Sequence, residues 1–94
     1  YQIKCRRLAT PQGSRRLGII RRLPERPFDK LAGVLIDGKF RVLRAAIIPY
    51  EVVEPRAVYV TSTNGWKFIL RDSVWELPGV IDATAELKAA ELLI

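Results

Sequence analysis

A tight-turn signal between two apolar runs restricts the fold more than any other part of the sequence. Residues 31–36 form a continuous apolar run rich in branched side chains, which is typical of a strand covered on both faces. Asp37 and Gly38 follow, and residues 40–48 resume a strand pattern. Because Asp and Gly tolerate the positive φ that a tight turn requires, the pattern predicts an antiparallel hairpin with a positive φ at Gly38. A place in this turn also explains why an acidic residue, Asp37, lies next to the apolar strands.

A second strand pattern carries aromatic residues. Trp66 and Phe68 fall on one face of residues 66–70, while Lys67 lies between them and Arg71 follows. Aromatic side chains interleaved with cations could stack on nucleotide bases. The period of two matches a buried face, however, and favours packing of both aromatic side chains in the core.

The remaining patterns complete a small mixed fold. Pro49 precedes a short helix, residues 57–61 have strand composition, and residues 83–93 have high helix propensity. Together they predict an α+β or α/β architecture, with a mixed sheet of about four or five strands flanked by two or three helices. Residues 1–94 are expected to be a single domain, or a C-terminal fragment of one whose sheet is incomplete at its N-terminal side.

One of those helices is predicted over residues 14–23. Ser14 is a plausible N-cap, and Leu17 and Ile20 follow at nearly helical spacing. Pro24 would stop the helix. Four arginines lie in this stretch, so the sequence predicts a basic helix.

The positive charge is concentrated near the start of the chain. The formal net charge is +6; residues 1–30 hold nine basic and two acidic groups, whereas residues 31–94 hold seven and eight. Such a cluster is typical of a surface that binds the phosphate backbone of nucleic acid. A solvated basic face, or a surface for an acidic partner, is the alternative. The residues predicted to bind nucleic acid are Arg6, Arg7, Arg15, Arg16, Arg21 and Arg22.

Composition excludes several kinds of site. The chain has no His and one Cys, so it can form neither a Cys/His zinc site, nor a Cys–His nucleophilic pair, nor an internal disulfide. No apolar run approaches the ~20 residues of a membrane-spanning helix, and no signal-peptide pattern is present. We therefore expect a cytoplasmic protein without membrane contact.

Residues 1–8 combine a strand pattern with polar groups of chemical interest. Successive side chains of a strand point to opposite faces. The apolar face carries Tyr1, Ile3 and Cys5. The polar face carries Gln2, Lys4 and Arg6. We expect the apolar face to join the core, with Cys5 as a small core residue.

The Gln-x-Lys spacing of Gln2 and Lys4 resembles the third motif of the PD-(D/E)XK nuclease superfamily, in its Mrr-type variant with glutamine in place of the acidic residue. The resemblance covers roughly the first 55 residues and includes the arginines after Lys4, residues 28–30 and residues 48–49. It implies a restriction-endonuclease-like fold. It also implies that Lys4 orients or activates the attacking water and that Gln2 helps to hold Mg²⁺, together with an Asp on a preceding strand.

Three functions follow as hypotheses. The first is a DNA-acting, restriction-endonuclease-like domain that hydrolyses phosphodiesters with Mg²⁺ when an upstream Asp completes it. The second is a non-catalytic basic module that binds nucleic acid, and the third is a structural or protein-interaction domain. The expected partner is nucleic acid, above all duplex DNA, and a homodimer is left open.

Overall fold

The structure is a computed structural model that describes residues 1–8, 10 and 13–91. Its regular elements are β1 (Gln2–Arg7), β2 (Lys30–Ile36), β3 (Val42–Pro49), α1 (Tyr50–Val53), β4 (Val58–Val60), β5 (Gly65–Lys67), β6 (Ile81–Asp82) and α2 (Thr84–Glu91). Short 3₁₀ helices span Leu23–Glu25, Glu54–Arg56, Thr61–Thr63 and Asp72–Glu76. A four-stranded mixed sheet has the order β1, β2, β3, β6, with β1 parallel to β2 and the other neighbours antiparallel. With the antiparallel pair of β4 and β5, this confirms a small α+β fold.

The hairpin of β2 and β3 is confirmed, but its loop differs from the prediction. The residue with a left-handed backbone is Phe40, at φ 63°, and the predicted positive φ at Gly38 is wrong. Asp37 organises the loop: its Oδ1 accepts hydrogen bonds from the backbone N–H groups of Lys39 at 2.8 Å and Arg41 at 2.9 Å. These two bonds hold the loop closed, with Phe40 rather than Gly38 in the left-handed conformation.

The predicted helix over residues 14–23 is wrong, because this segment pairs with another part of the chain. The N–H of Leu17 donates to the carbonyl of Phe68 at 3.0 Å, and the backbones of Ile20 and Trp66 exchange two hydrogen bonds of 2.8 Å. Glycine and branched residues within the segment lower its helix propensity. The partner backbone satisfies the donors that a helix would have satisfied internally.

The main core lies between the four-stranded sheet and this pairing. Leu17, Phe68 and Leu70 are almost fully buried, and Trp66 packs against the same cluster, so the prediction that both aromatic residues join the core is confirmed. The side chains of Leu17 and Leu70 approach β2 so closely that position 33 must be a glycine. A Cβ there would lie 3.0 Å from Leu70 Cδ2 and 3.3 Å from Leu17 Cδ1.

A smaller apolar cluster covers the opposite face of the sheet. Ala83 lies just before α2 and is buried against Val34 and Ala45, and Leu87 of α2 packs beside them. The helix therefore covers β2 and β3. At eight residues it is far shorter than a ~20-residue membrane span, and the structure shows no membrane-crossing helix within residues 1–8, 10 and 13–91.

The first strand lies beyond the reach of this helix, at one edge of the sheet. Tyr1 and Ile3 are 80% and 68% exposed, and Cys5 is exposed too. The prediction that the apolar face of residues 1–8 joins the core is therefore wrong. The polar face of β1 is the one turned toward the main core, because the register of β1 follows that of the paired residues on β2.

The loop geometry leads to a stability prediction. Gly38→Val should change the free energy of unfolding by less than about 0.5 kcal/mol, because an added Cβ meets nothing within 4 Å. Asp37→Ala should lower the thermal midpoint, since the N–H groups of Lys39 and Arg41 lose their acceptor. Asp37→Asn is the matched control, because it retains an acceptor oxygen. Thermal melts in which Gly38→Val costs more than Asp37→Ala would contradict this account of the loop.

Candidate functional site

The predicted catalytic pair lies on one face of β1, beneath a covering segment. Three polar side chains share this face: Gln2, Lys4 and Arg6. Lys4 Nζ donates a hydrogen bond to the carbonyl oxygen of Ile19 at 3.1 Å, and Arg6 Nε donates to the carbonyl of Ser14 at 3.1 Å. Both cations thus hold residues 14–20 against the sheet.

Gln2 lacks the neighbours that a metal site requires. Its Oε1 is buried, and it has no hydrogen-bond partner among the described residues. Within residues 1–8, 10 and 13–91, no group of three or more His, Cys, Asp or Glu side chains could hold a metal ion. Mg²⁺ prefers anionic oxygen ligands and its own waters. The described residues therefore do not fit the Mg²⁺ site that the resemblance implies.

The predicted nucleic-acid-binding arginines do not form one surface. Arg6 and Arg7 lie on opposite faces of β1, and the Arg7 guanidinium lies 5.0 Å from the centre of the Phe40 ring. Arg21 Nη1 donates to the carbonyl of Thr63 at 2.9 Å. The Nε atom of Arg22 is 2.7 Å from Oε2 of Glu25. Local contacts thus separate these side chains over different parts of the surface.

Arg15 belongs to an ion-pair cluster centred on Asp72. Asp72 Oδ1 accepts hydrogen bonds from Arg15 Nη1 and from Arg44 Nη1, the latter at 2.9 Å. The Arg15 hydrogen bond, with a smaller contribution from Arg44, holds the pKa of Asp72 below its usual value of 3.8. Arg44 also lies over the Trp75 ring at 3.9 Å. The cluster joins the segment after β1 to β3 and to the 3₁₀ helix Asp72–Glu76.

A different set of cations surrounds a pocket of about 350 Å³. Its cationic side chains are Arg56, Lys67 and Arg71. None of the described residues that line it is acidic, and no ion pair of these three cations is recorded in the described part of the chain. We call this the basic pocket. Its charge is therefore uncompensated by its own walls.

Side-chain alternation along residues 66–71 explains why Lys67 and Arg71 lie on the side away from the main core. Phe68 and Leu70 are buried in the main core, so the side chains between and beside them, including Lys67 and Arg71, point to the other side. Arg16 joins them because its backbone forms an antiparallel bridge with Ile69, and residues opposite each other in such a pair share a face. Ile69 itself lines the basic pocket.

Sequence reasoning missed this site as a unit. Its cations and the neighbouring arginine come from three separate stretches of the chain: Arg16, Arg56, and the pair Lys67 and Arg71. Only Arg16 is among the residues predicted to bind nucleic acid. A partial signal was present, because Lys67 and Arg71 flank residues with the spacing of a buried face. Arg16 could not be added without the backbone bridge to Ile69.

Known proteins add no guidance. No protein-family model matches the chain, and no curated protein sequence matches it. The function is therefore inferred from the side chains and their arrangement.

The Asp72 cluster predicts a pH dependence. The pKa of Asp72 is lowered in the folded state, so the folded protein binds fewer protons than the unfolded chain near this pKa. The stabilising contribution of Asp72 is present above its unfolded pKa, near 3.8, and is lost as the pH falls through the folded pKa. Asp72→Asn should therefore lower the thermal midpoint at pH 7, and its difference from wild type should shrink below about pH 4.

The matched control is Glu76→Gln, an exposed carboxylate with no recorded ion pair within the described residues. It should change the midpoint little at either pH. A difference between wild type and Asp72→Asn that stays constant from pH 7 to about pH 2.5 would show that the carboxylate charge does not stabilise the cluster.

Proposed function

We propose that this domain binds nucleic acid through its phosphate backbone and does not hydrolyse it. One observation carries the proposal: Arg16 and the three cations of the basic pocket share one side of the molecule, and none of them has a carboxylate partner among the described residues. Cations held without counter-charges attract a polyanion and release its condensed counterions on binding.

The arrangement of these cations suits a phosphate chain. Lys67 and Arg71 are four residues apart, which limits their Cα atoms to at most about 14 Å, and Arg16 lies beside Ile69 between them. Long cationic side chains across this distance can contact successive phosphates of one strand. Two of the three are arginines, whose planar guanidinium groups can bind phosphate with two hydrogen bonds.

The first strand supports binding rather than hydrolysis. A catalytic lysine must direct its ammonium group at the charge that develops in the transition state. Lys4 Nζ instead donates to the carbonyl oxygen of Ile19, beneath the segment that covers this face. Neither Lys4 nor Gln2 lines the basic pocket.

A pair of triple variants tests the proposal. Arg16→Gln, Lys67→Gln and Arg71→Gln together remove three charges at the basic pocket; Lys30→Gln, Lys39→Gln and Lys88→Gln together remove three exposed charges elsewhere. We expect the first variant to weaken binding and to reduce the slope of log K against log salt by about 0.9 for each lost duplex contact, or about 0.7 on a single strand. The control should retain most of the wild-type slope.

If the two folded variants have equal slopes of log K against log salt, the basic pocket is not part of the interface. Wild-type protein that binds neither duplex nor single-stranded nucleic acid at low salt would overturn the proposal. Such a result would favour a structural domain whose basic side meets an acidic protein.

A second candidate function, metal-dependent phosphodiester hydrolysis, has one observation in its favour. Gln2 Oε1 is buried without a hydrogen-bond partner in the described residues, and Lys4 follows it on the same face. The described residues lack the anionic ligand, so a longer form of the chain with an upstream Asp is required.

Nicking of supercoiled plasmid tests this second function. The longer form with Mg²⁺ should nick the plasmid, Lys4→Ala should abolish nicking, and both proteins should bind DNA equally. Lys30→Ala is the control, because Lys30 is an exposed lysine on the neighbouring strand. Equal nicking by wild type and Lys4→Ala, or none with any divalent metal, would exclude this function.

A further inference from the structure

The basic pocket has an apolar wall as well as cations. Val58, Phe68, Val74 and Leu77 line it. Its volume of about 350 Å³ is at the lower end of the ~300–1,000 Å³ range of ligand pockets. The pocket is therefore large enough for one small ligand.

Because the pocket is lined by both apolar and cationic side chains, a matching ligand has both an apolar and an anionic part. A simple phosphate ion would gain nothing from Val58 and Leu77, and an uncharged apolar molecule would gain nothing from Lys67 and Arg71. A nucleotide has both features, because its base presents flat apolar faces and its phosphates are anionic. Val58 and Lys67 are cross-strand neighbours that both line the pocket, so apolar and cationic groups lie side by side there.

We infer that the basic pocket binds one unpaired nucleotide, with its base against the apolar wall and its phosphates against the cations, an inference that rests on the proposed nucleic-acid binding. Bases in a duplex are stacked and paired, and extruding one costs a few kcal/mol. The domain should therefore bind single strands more tightly than duplexes. The arginine at position 56 can also stack on a base through its guanidinium plane.

A variant that fills the pocket separates this inference from general attraction between charges. Val58→Trp places a large side chain at an exposed strand position that lines the pocket, and it leaves every cation in place. Ile81→Trp is the matched control, because Ile81 is 54% exposed and Val58 53%, and Ile81 lies on β6 in the other sheet. Val58→Phe is the milder variant, and thermal melts establish that all three proteins fold.

Affinity is measured by fluorescence anisotropy with a labelled DNA strand of about 12 nucleotides and with its duplex, at the same salt. We expect wild type to prefer the single strand by about tenfold or more, because extruding a base from a duplex costs a few kcal/mol. Val58→Trp should weaken single-strand binding by about five- to 150-fold, the range expected for the loss of one base contact, and leave duplex binding unchanged. Ile81→Trp should alter neither. Equal wild-type affinity for strand and duplex, or single-strand binding that is insensitive to both Val58 variants, would overturn the inference.

Competition with thymidine monophosphate identifies the source of the nucleotide. Displacement of the labelled strand from wild type by thymidine monophosphate, with thymidine itself inactive, supports a requirement for the phosphate. If free thymidine monophosphate binds in a Val58-sensitive manner and no strand or duplex binds, the nucleotide pocket stands and the proposed nucleic-acid binding fails. If strands bind with the expected salt dependence but without any effect of Val58→Trp, the proposed function stands and the pocket inference fails.

Discussion

The structure depends on backbone hydrogen bonds between residues 15–20 and residues 66–70. These bonds join two distant parts of the chain into one layer. They also place the side chains of Leu17 and Leu70 in close contact with Gly33, which has no side chain. A buried backbone N–H without a partner is costly, so this pairing largely determines how the layer can lie on the sheet. The main core and the basic pocket are then two sides of the same layer: alternate side chains enter the core, and those between them form the outer surface.

Charge is distributed by the same pairing. Arg15, Arg22 and Arg26 lie in ion pairs with carboxylates, and Arg21 binds backbone carbonyls. These contacts stabilise the irregular segment that follows β1, and they leave fewer cations for a ligand. The number of arginines in the first third of the chain therefore overstates the positive charge available to a partner. The three cations of the basic pocket all come from residues 31–94, where the net charge is near zero, and only the neighbouring Arg16 comes from the first third.

The Gln-x-Lys pattern shows how far a local pattern can be interpreted. Alternation correctly places Gln2 and Lys4 on one face of a strand. It does not determine whether that face meets solvent, substrate or protein, because this depends on what packs over it. Here residues 14–20 cover it, and the Lys4 ammonium binds the carbonyl of Ile19. The apolar face of the same strand is exposed instead, since α2 reaches only the central strands.

By itself, the sequence determined the elements whose signals are local. The β2–β3 hairpin, the packing of Trp66 and Phe68 in the core, the short helix after Pro49 and the final helix follow from turn chemistry, side-chain period and helix propensity over a few residues. Only the tertiary structure decided which face of β1 is buried and that Arg16 lies beside the basic pocket. It also decided that residues 15–20 pair with residues 66–70 instead of forming a helix. The first outcome depends on residues 14–20 packing over β1, and the other two on hydrogen bonds between residues about 50 positions apart; no local period encodes either.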